Sequence, residues 1–122
     1  MTWLASLPHQ IPFRAASTGR RIDDKTIAGT FLCTANDPLP EIMLAEAMAQ
    51  LAGGLVFDAA QHGFLSGIDD FELGAVVPGD VVRIIVHLDA QLGGVFRFSS
   101  VGSIDGLEVA HGRFYLAAHE NA

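Results

Sequence analysis

The stretch of sequence that decides the fold is IMLAEAMAQLAGGLVF, residues 42–57. Alanine, leucine and methionine dominate this stretch, and all three have high helix propensity. It follows NDPLPE, residues 36–41, which supplies capping side chains, prolines suited to a first helical turn, and an acid that complements the helix dipole. We therefore predict a helix from about residue 41 to residue 61, with Gly63 as its C-terminal cap.

The predicted helix is apolar on nearly every face. Only Glu46, Gln50 and the pair Gly53 and Gly54 interrupt its apolar residues. A helix with this pattern is buried rather than placed on a surface. It also falls short of the roughly 20 apolar residues that a membrane span needs, and it contains a charge. We therefore expect the rest of the chain, together with a partner subunit, to wrap around it.

The segments on both sides of the helix have the composition of β-strands. Two precede it, at residues 13–22 and 26–34, after an irregular entry segment at residues 1–12. Four follow it, at residues 64–73, 81–91, 95–104 and 107–118, with a turn at residues 77–80 and hairpin signals at Gly93-Gly94 and Asp105-Gly106. This order predicts one α+β domain over residues 1–122, in which a curved antiparallel sheet wraps around one long central helix, as in the hotdog fold.

Composition excludes several classes of protein. Half of the residues are hydrophobic and 17% are charged, so the chain can form a packed core and is not a disordered segment. Seven basic residues against 14 acidic residues give a net charge of −7, which disfavours binding to nucleic acid or to anionic membranes. The single cysteine, Cys33, excludes an intramolecular disulfide and is expected in the core. No signal peptide is apparent, so we expect a cytoplasmic protein.

The central helix also carries the polar side chains that suggest a function. Removing an unpartnered carboxylate from water is costly, and a helix does not need one at Glu46 in order to form. Gln50 lies four residues further on the same stripe, and two glycines continue that stripe as a smooth wall beside which a thin substrate fits. The alternative is that Glu46 forms a structural hydrogen bond. We predict Glu46 as the catalytic residue and the following residues as substrate-binding: Gln50, Gly53, Gly54, Leu39 and Pro40.

Several further motifs occur in a characteristic order. They are LPHQIPF at residues 7–13, EAMAQ at 46–50, GIDD at 67–70 and VPGD at 77–80, followed by the closing hairpins. This series resembles the FabZ/FabA-type 3-hydroxyacyl-ACP dehydratases, which are hotdog proteins, over about residues 7–118. The resemblance implies a role in fatty-acid or lipid metabolism, an acyl-ACP or acyl-CoA thioester as the bound molecule, a homodimer or higher oligomer, and no cofactor.

The chain departs from this family at the catalytic histidine. The family uses a histidine from a His-Phe-Pro-Gly loop just before the helix, together with an acid on the helix of the partner subunit. Glu46 matches the acid, but residues 34–38 run almost directly into residues 39–41 without that loop. Dehydration needs a base at C2 and an acid at the 3-hydroxyl group, and each is typically worth about 10²–10⁴-fold in rate. The resemblance therefore implies a protein without stand-alone dehydratase activity.

Alternatives to this interpretation remain open. The chain could be a subunit that binds acyl thioesters alone or pairs with a hotdog subunit that bears the histidine. It could be a thioesterase that uses Glu46 with backbone amides, or a non-catalytic structural subunit. It could also be a dehydratase that recruits another histidine. The chain has five histidines, whose spacing predicts no metal site: His9, His62, His87, His111 and His119.

Basic residues that could dock an acidic carrier protein form two groups in the sequence. One group precedes the helix, and the other is spread over the last three predicted strands. A solvated face of mixed charge is the alternative interpretation for both. The groups are Arg20, Arg21 and Lys25, and then Arg83, Arg97 and Arg113.

Overall fold

Six strands and one helix form the computed structural model, which describes residues 18–34, 40–57 and 63–118. The predicted entry segment and residues 13–17 of the first predicted strand lie outside the described residues. In chain order, the elements are β1 (Thr18–Asp23), β2 (Thr26–Leu32), α1 (Pro40–Val56), β3 (Gly63–Leu73), β4 (Val81–Leu92), β5 (Val95–Ile104) and β6 (Leu107–Ala118).

All six strands belong to one antiparallel sheet with the order β1-β2-β4-β5-β6-β3. The helix and β3 are thus inserted in the sequence between two strands, β2 and β4, that are neighbours in the sheet. The predicted hairpins join β4 to β5 and β5 to β6, with positive φ angles at Gly93 (60°) and Gly106 (83°). The α+β class and the hotdog arrangement predicted from the sequence are confirmed. β1 and β3 form the two edges of the sheet.

The helix packs one face against the sheet. Leu44, Met48, Leu51 and Leu55 follow one another at helical spacing and are at most 5% exposed. Two of them contact strands at glycines, where the helix approaches the sheet closely. A methyl group added at Gly29 of β2 would come within 2.6 Å of the Leu51 side chain, and one added at Gly102 of β5 within 3.5 Å of Met48 Cε. The core therefore depends on small residues in the sheet as well as large ones in the helix.

The helix is shorter than predicted. It ends at Val56 rather than near residue 61, and Gly63 begins β3 instead of capping the helix. Glycine is a poor helix former, so Gly53 and Gly54 weaken the last turn. The Phe57 amide still donates to the Gly53 carbonyl at 2.9 Å. The Phe57 ring packs edge-on against Phe96 of β5, with ring centres 5.7 Å apart and an interplanar angle of 86°.

The second strand is also shorter than predicted. β2 ends at Leu32 rather than at residue 34, because Cys33 exchanges backbone hydrogen bonds with the turn before β4. The Cys33 amide donates to the Asp80 carbonyl at 2.9 Å, and the Gly79 amide donates to the Cys33 carbonyl at 2.8 Å. The predicted turn at residues 77–80 is present, with the Asp80 amide donating to the Val77 carbonyl at 3.0 Å. Cys33 itself is 1% exposed, so its predicted core position is confirmed.

Candidate functional site

Glu46 lies on the face of α1 that points away from the sheet. The face of the helix that packs on the sheet is centred on Met48 and Leu51. A helix turns by about 100° per residue. Glu46 is therefore on nearly the opposite side of the helix. Its side chain is partly exposed in this single chain rather than buried. Ile42, one turn earlier on the same face, is 57% exposed, so this side of the helix is open at its N-terminal end.

Gln50 and the two glycines share this sheet-distal side with Glu46. Gln50 is 3% exposed, Gly53 is buried and Gly54 is half-buried. A methyl group added at Gly53 would meet, among the described residues, only Phe57 Cδ2, at 3.8 Å. The structure thus brings four predicted site residues onto one side of one helix. It also shows that the wall formed by Gly53 has room for a slightly larger residue.

Of the two remaining predicted site residues, the structure describes the backbone position of Pro40 but not of Leu39. Pro40 is the first residue of α1. Leu39 lies outside the described residues, as do three of the five histidines: His9, His62 and His119.

Arg21 is a feature that the sequence did not reveal. It extends from β1 to the C-terminal end of α1, where Nη2 donates to the Leu55 carbonyl at 2.8 Å and approaches the Gly54 carbonyl at 3.5 Å. The last carbonyls of a helix have no partner within the helix and carry partial negative charge. Arg21 therefore caps α1 and ties the edge strand to it. Only the register of β1 on β2, which pairs Arg21 with the buried Ile27, shows that this side chain faces the helix.

The two described histidines lie on the outer face of the sheet, away from α1. His87 alternates on β4 with the fully buried Val86, and its Nδ1 is 3.1 Å from Thr26 Oγ1. His111 lies on β6 between the buried Ala110 and Gly112. The sheet itself separates both imidazoles from Glu46. Within residues 18–34, 40–57 and 63–118, no histidine lies on the helix side of the sheet.

Acids of β3 pair with side chains of β6 on this outer face. On this face, every second residue of β6 makes such a contact: His111, Arg113 and Tyr115. His111 also contacts Glu108 of its own strand. The contacts are Tyr115 Oη to Asp69 Oδ2 (3.2 Å), Arg113 to Asp70 (3.7 Å), His111 to Glu72 (3.6 Å) and His111 to Glu108 (3.3 Å). The acids of the GIDD motif therefore hold the edge strand in place and do not face Glu46.

The predicted basic groups separate on folding. Arg20 and Arg21 are adjacent in sequence, but Arg20 faces outward and Arg21 faces the helix. Arg83, Arg97 and Arg113 all lie on the outer face of the sheet. Arg113 pairs with an acid of β3, whereas no ion pair involves the other two in the described part of the chain.

The described residues show neither of two other kinds of feature. Their His, Cys, Asp and Glu side chains form no group of three or more that could hold a metal ion. No helix among them has both the length and the apolar character needed to cross a bilayer.

Comparison with solved structures shows the same fold. One chain of the dehydratase heterocomplex ApeI:P from Xenorhabdus doucetiae superposes with a TM-score of 0.84 at 20% identity, covering 99% of this chain and 93% of that one. A hypothetical thioesterase from Streptococcus pneumoniae, solved with coenzyme A, superposes with a TM-score of 0.70 at 14% identity, covering 88% and 90%. At these identities, the similarity establishes the hotdog fold alone.

Comparison of sequences goes further, although no protein-family model matches the chain. The FabZ 3-hydroxyacyl-[acyl-carrier-protein] dehydratase of Rickettsia massiliae is 32% identical over 140 aligned positions, which cover all of this chain and 94% of that protein. The alignment is longer than the 122 residues of this chain, so the relative carries insertions. The FabZ of Rickettsia bellii is also 32% identical, over 88% of this chain and 87% of its own length. With this identity along its whole length, the chain belongs to the FabZ 3-hydroxyacyl-[acyl-carrier-protein] dehydratase family.

Proposed function

We propose that this protein is an acyl-thioester-binding FabZ-type subunit that contributes Glu46 to a dehydratase site and receives the catalytic histidine from a second hotdog subunit. One observation carries the proposal. Glu46 lies on the sheet-distal side of α1, while both described histidines lie beyond the sheet. The seven residues between β2 and α1, CTANDPL, contain no histidine either. Among the residues that the structure describes, the carboxylate therefore has no imidazole on its side of the sheet.

The reaction needs two groups of opposite function. A base takes the C2 proton of a 3-hydroxyacyl thioester, the C2–C3 double bond forms, and the C3–O bond breaks. An acid gives its proton to the departing hydroxyl group, which leaves as water. The two groups must therefore approach the substrate at adjacent carbons. In this proposal, Glu46 is the acid and an imidazole of the partner subunit is the base.

The edge of the sheet supports the need for a partner subunit. β3 is an edge strand, and an uncovered edge offers unpaired backbone groups to a further strand. Leu65 and Ile68 of β3 pair with the buried Leu116 and Phe114, so they lie on the helix side of the sheet. They are nevertheless 36% and 44% exposed. A second subunit that extends the sheet from β3 would cover both residues and bring its own side chains toward Glu46.

The heteromeric form of this proposal has support from one comparison. The chain superposed above belongs to a dehydratase heterocomplex, so that protein assembles with a different chain. A homodimer or higher oligomer of this chain would bind thioesters without the histidine. The binding surface in either assembly is the sheet-distal side of α1. In this proposal, Gly53 and Gly54 are the wall and Gln50 lies beside it, while Leu39 and Pro40 come just before this stretch in the sequence.

The test is subunit complementation with mass-spectrometric detection of all thioester species. The protein alone is incubated with a 3-hydroxyacyl thioester and with the corresponding enoyl thioester, and no interconversion is expected. It is then co-expressed with the Rickettsia massiliae FabZ, whose own helix carboxylate has been changed to an amide. Dehydration by the co-purified pair is expected, since each subunit supplies one of the two groups.

Two variants make this experiment specific. Glu46→Gln should abolish the restored activity and leave thermal unfolding nearly unchanged, because Glu46 is partly exposed and on the sheet-distal face. Glu108→Gln, an acid on the outer face of β6, should leave the activity intact. Interconversion by the protein alone would refute the proposal. Release of the free acid would identify a thioesterase instead.

A further inference from the structure

A cleft on the outer face of the sheet lies apart from the Glu46 side of the helix. It has a volume of about 420 Å³ and spans three strands, β1, β2 and β4. Its floor is formed by small residues of β2: Ala28, Gly29 and Thr30. Arg20 of β1 and Arg83 of β4 both line it. The sheet and the helix stand between this cleft and Glu46, so the cleft is separate from the proposed acyl site.

The two arginines lack acidic partners, although the chain has twice as many acids as basic residues. Neither Arg20 nor Arg83 forms an ion pair within the described residues. Elsewhere, Arg113 pairs with Asp70, and Arg21 donates to carbonyls of the helix. Cations that share a concave surface and form no ion pair there are available for an external anion. The guanidinium group suits phosphate because its N–H groups match two phosphate oxygens at once.

Two hydroxyl groups add a donor to the same cleft. Thr18 Oγ1 and Thr30 Oγ1 are 2.8 Å apart and share one hydrogen bond. Each hydroxyl has one hydrogen, so the group that accepts this bond keeps its own hydrogen for another acceptor. Thr30 is paired directly with Arg83 across β2 and β4. The spare hydrogen and the Arg83 guanidinium can therefore serve the same anion.

The walls of the cleft are apolar. Ile22 and Ile85 both line it and are 52% and 44% exposed. A bare inorganic ion would leave these side chains uncovered, whereas a ligand with an apolar or aromatic portion next to its phosphate would cover them. We propose that this cleft binds a phosphate ester joined to such a group, as in the phosphoadenosine end of coenzyme A or in a free nucleotide. The proposal does not depend on the chemistry at Glu46.

Two acids near the cleft bear on its affinity. Asp105 lines an adjoining cleft together with Arg83, but the two form no ion pair. Asp23, at the far end of β1, accepts a hydrogen bond from the Lys25 amide at 2.8 Å. Neither carboxylate occupies the space between the arginines, and both reduce the positive potential there. Removing the charge of Asp105 should therefore strengthen anion binding by about twofold, as expected for one exposed charge several ångströms away.

The test is an NMR titration of the isotopically labelled full-length protein with inorganic phosphate, adenosine monophosphate, 3′-phosphoadenosine 5′-phosphate and coenzyme A. Saturable shifts are expected at the amides of Ala28, Thr30 and Ile85, and they should weaken as salt is added. Arg20→Gln and Arg83→Gln should each weaken binding by about tenfold, the value of one charge-assisted hydrogen bond at an exposed site. Asp105→Asn should strengthen it, and asparagine tolerates the positive φ of 51° at that position.

The matched control is Arg97→Gln, which removes an exposed arginine from the same face of the sheet but outside the cleft. It should leave the affinity unchanged. Equal binding of the monophosphate and coenzyme A would identify a free nucleotide as the source of the phosphate ester, and selective binding of the two 3′-phosphorylated compounds would identify coenzyme A. An equal loss with Arg97→Gln, or binding of inorganic phosphate as tight as that of the three organic phosphates, would overturn the proposal.

Discussion

Replacing Gly53 with alanine should separate the stability of the helix from its proposed binding function. Alanine is about 0.8–1.0 kcal/mol more favourable than glycine inside a helix. The added methyl group meets only Phe57 Cδ2 among the described residues, at 3.8 Å, which is ordinary van der Waals contact. Gly53 is three residues from the end of α1, so we expect roughly 0.5–1 kcal/mol of added stability. For a chain of 122 residues this corresponds to a rise in Tm of about 2–4 °C.

The same methyl group should hinder an acyl thioester that lies along the helix. A methyl group forced into a closely fitted wall typically costs about 1–3 kcal/mol, or roughly tenfold or more in affinity. Urea and thermal unfolding measure the first effect, and titration with a non-hydrolysable acyl-thioester analogue measures the second. Gly29→Ala is the contrasting variant, because its methyl group would collide with the Thr18 carbonyl oxygen and the Leu51 side chain. It should lower stability by about 1–3 kcal/mol.

Two outcomes would refute this reasoning about Gly53. A loss of stability in Gly53→Ala would mean that the space beside the glycine is already filled. A gain of stability with unchanged affinity for the analogue would mean that the glycine does not form a wall of the binding site.

Two further predictions concern the edge strand β1 and its turn. Arg21→Gln should lower the free energy of unfolding by about 1–2 kcal/mol, because it removes a charged cap from the helix carbonyls, whereas Arg20→Gln should leave it unchanged in the same urea titration. The Lys25 amide holds the pKa of Asp23 below its ordinary value of 3.8. Because the folded-state pKa is lowered, the stabilisation is present above pH 3.8 and is lost as the pH falls through the lowered value. The Asp23→Asn variant should therefore have a lower free energy of unfolding than the unchanged protein at neutral pH and the same one in strong acid. NMR titration of the carboxyl group measures its pKa directly.

Local sequence signals were sufficient for the strands and turns, because each signal acts within a few residues. The alternation of β4 predicted its buried face, and Val82, Ile84 and Val86 are all fully buried. Asp105-Gly106 predicted a hairpin, and both residues adopt the positive φ angles that such a turn requires.

Features that depend on distant residues could not be predicted in this way. Phe57, just after α1, packs against Phe96, which is 39 positions away in the sequence. The division of Arg20 and Arg21 between the two faces depends on the register of β1 with β2. For the candidate site, helical spacing alone placed Glu46 and Gln50 on one side of the helix. Which side faces the sheet is decided by the pairing of Leu51 with a glycine of β2, which no local pattern shows.

The insertion of the helix between β2 and β4 has a consequence for synthesis of the chain. Met48 of the helix packs against Gly102, which lies on a strand made after the helix. At about 5–20 residues per second, the stretch from Val56 to Ala118 takes roughly 3–12 s to emerge. During that interval, the helix can pack only against the β1–β2 hairpin, which is made before it. The part of the helix that packs on Gly102 therefore stays uncovered in the nascent chain until the closing hairpins arrive.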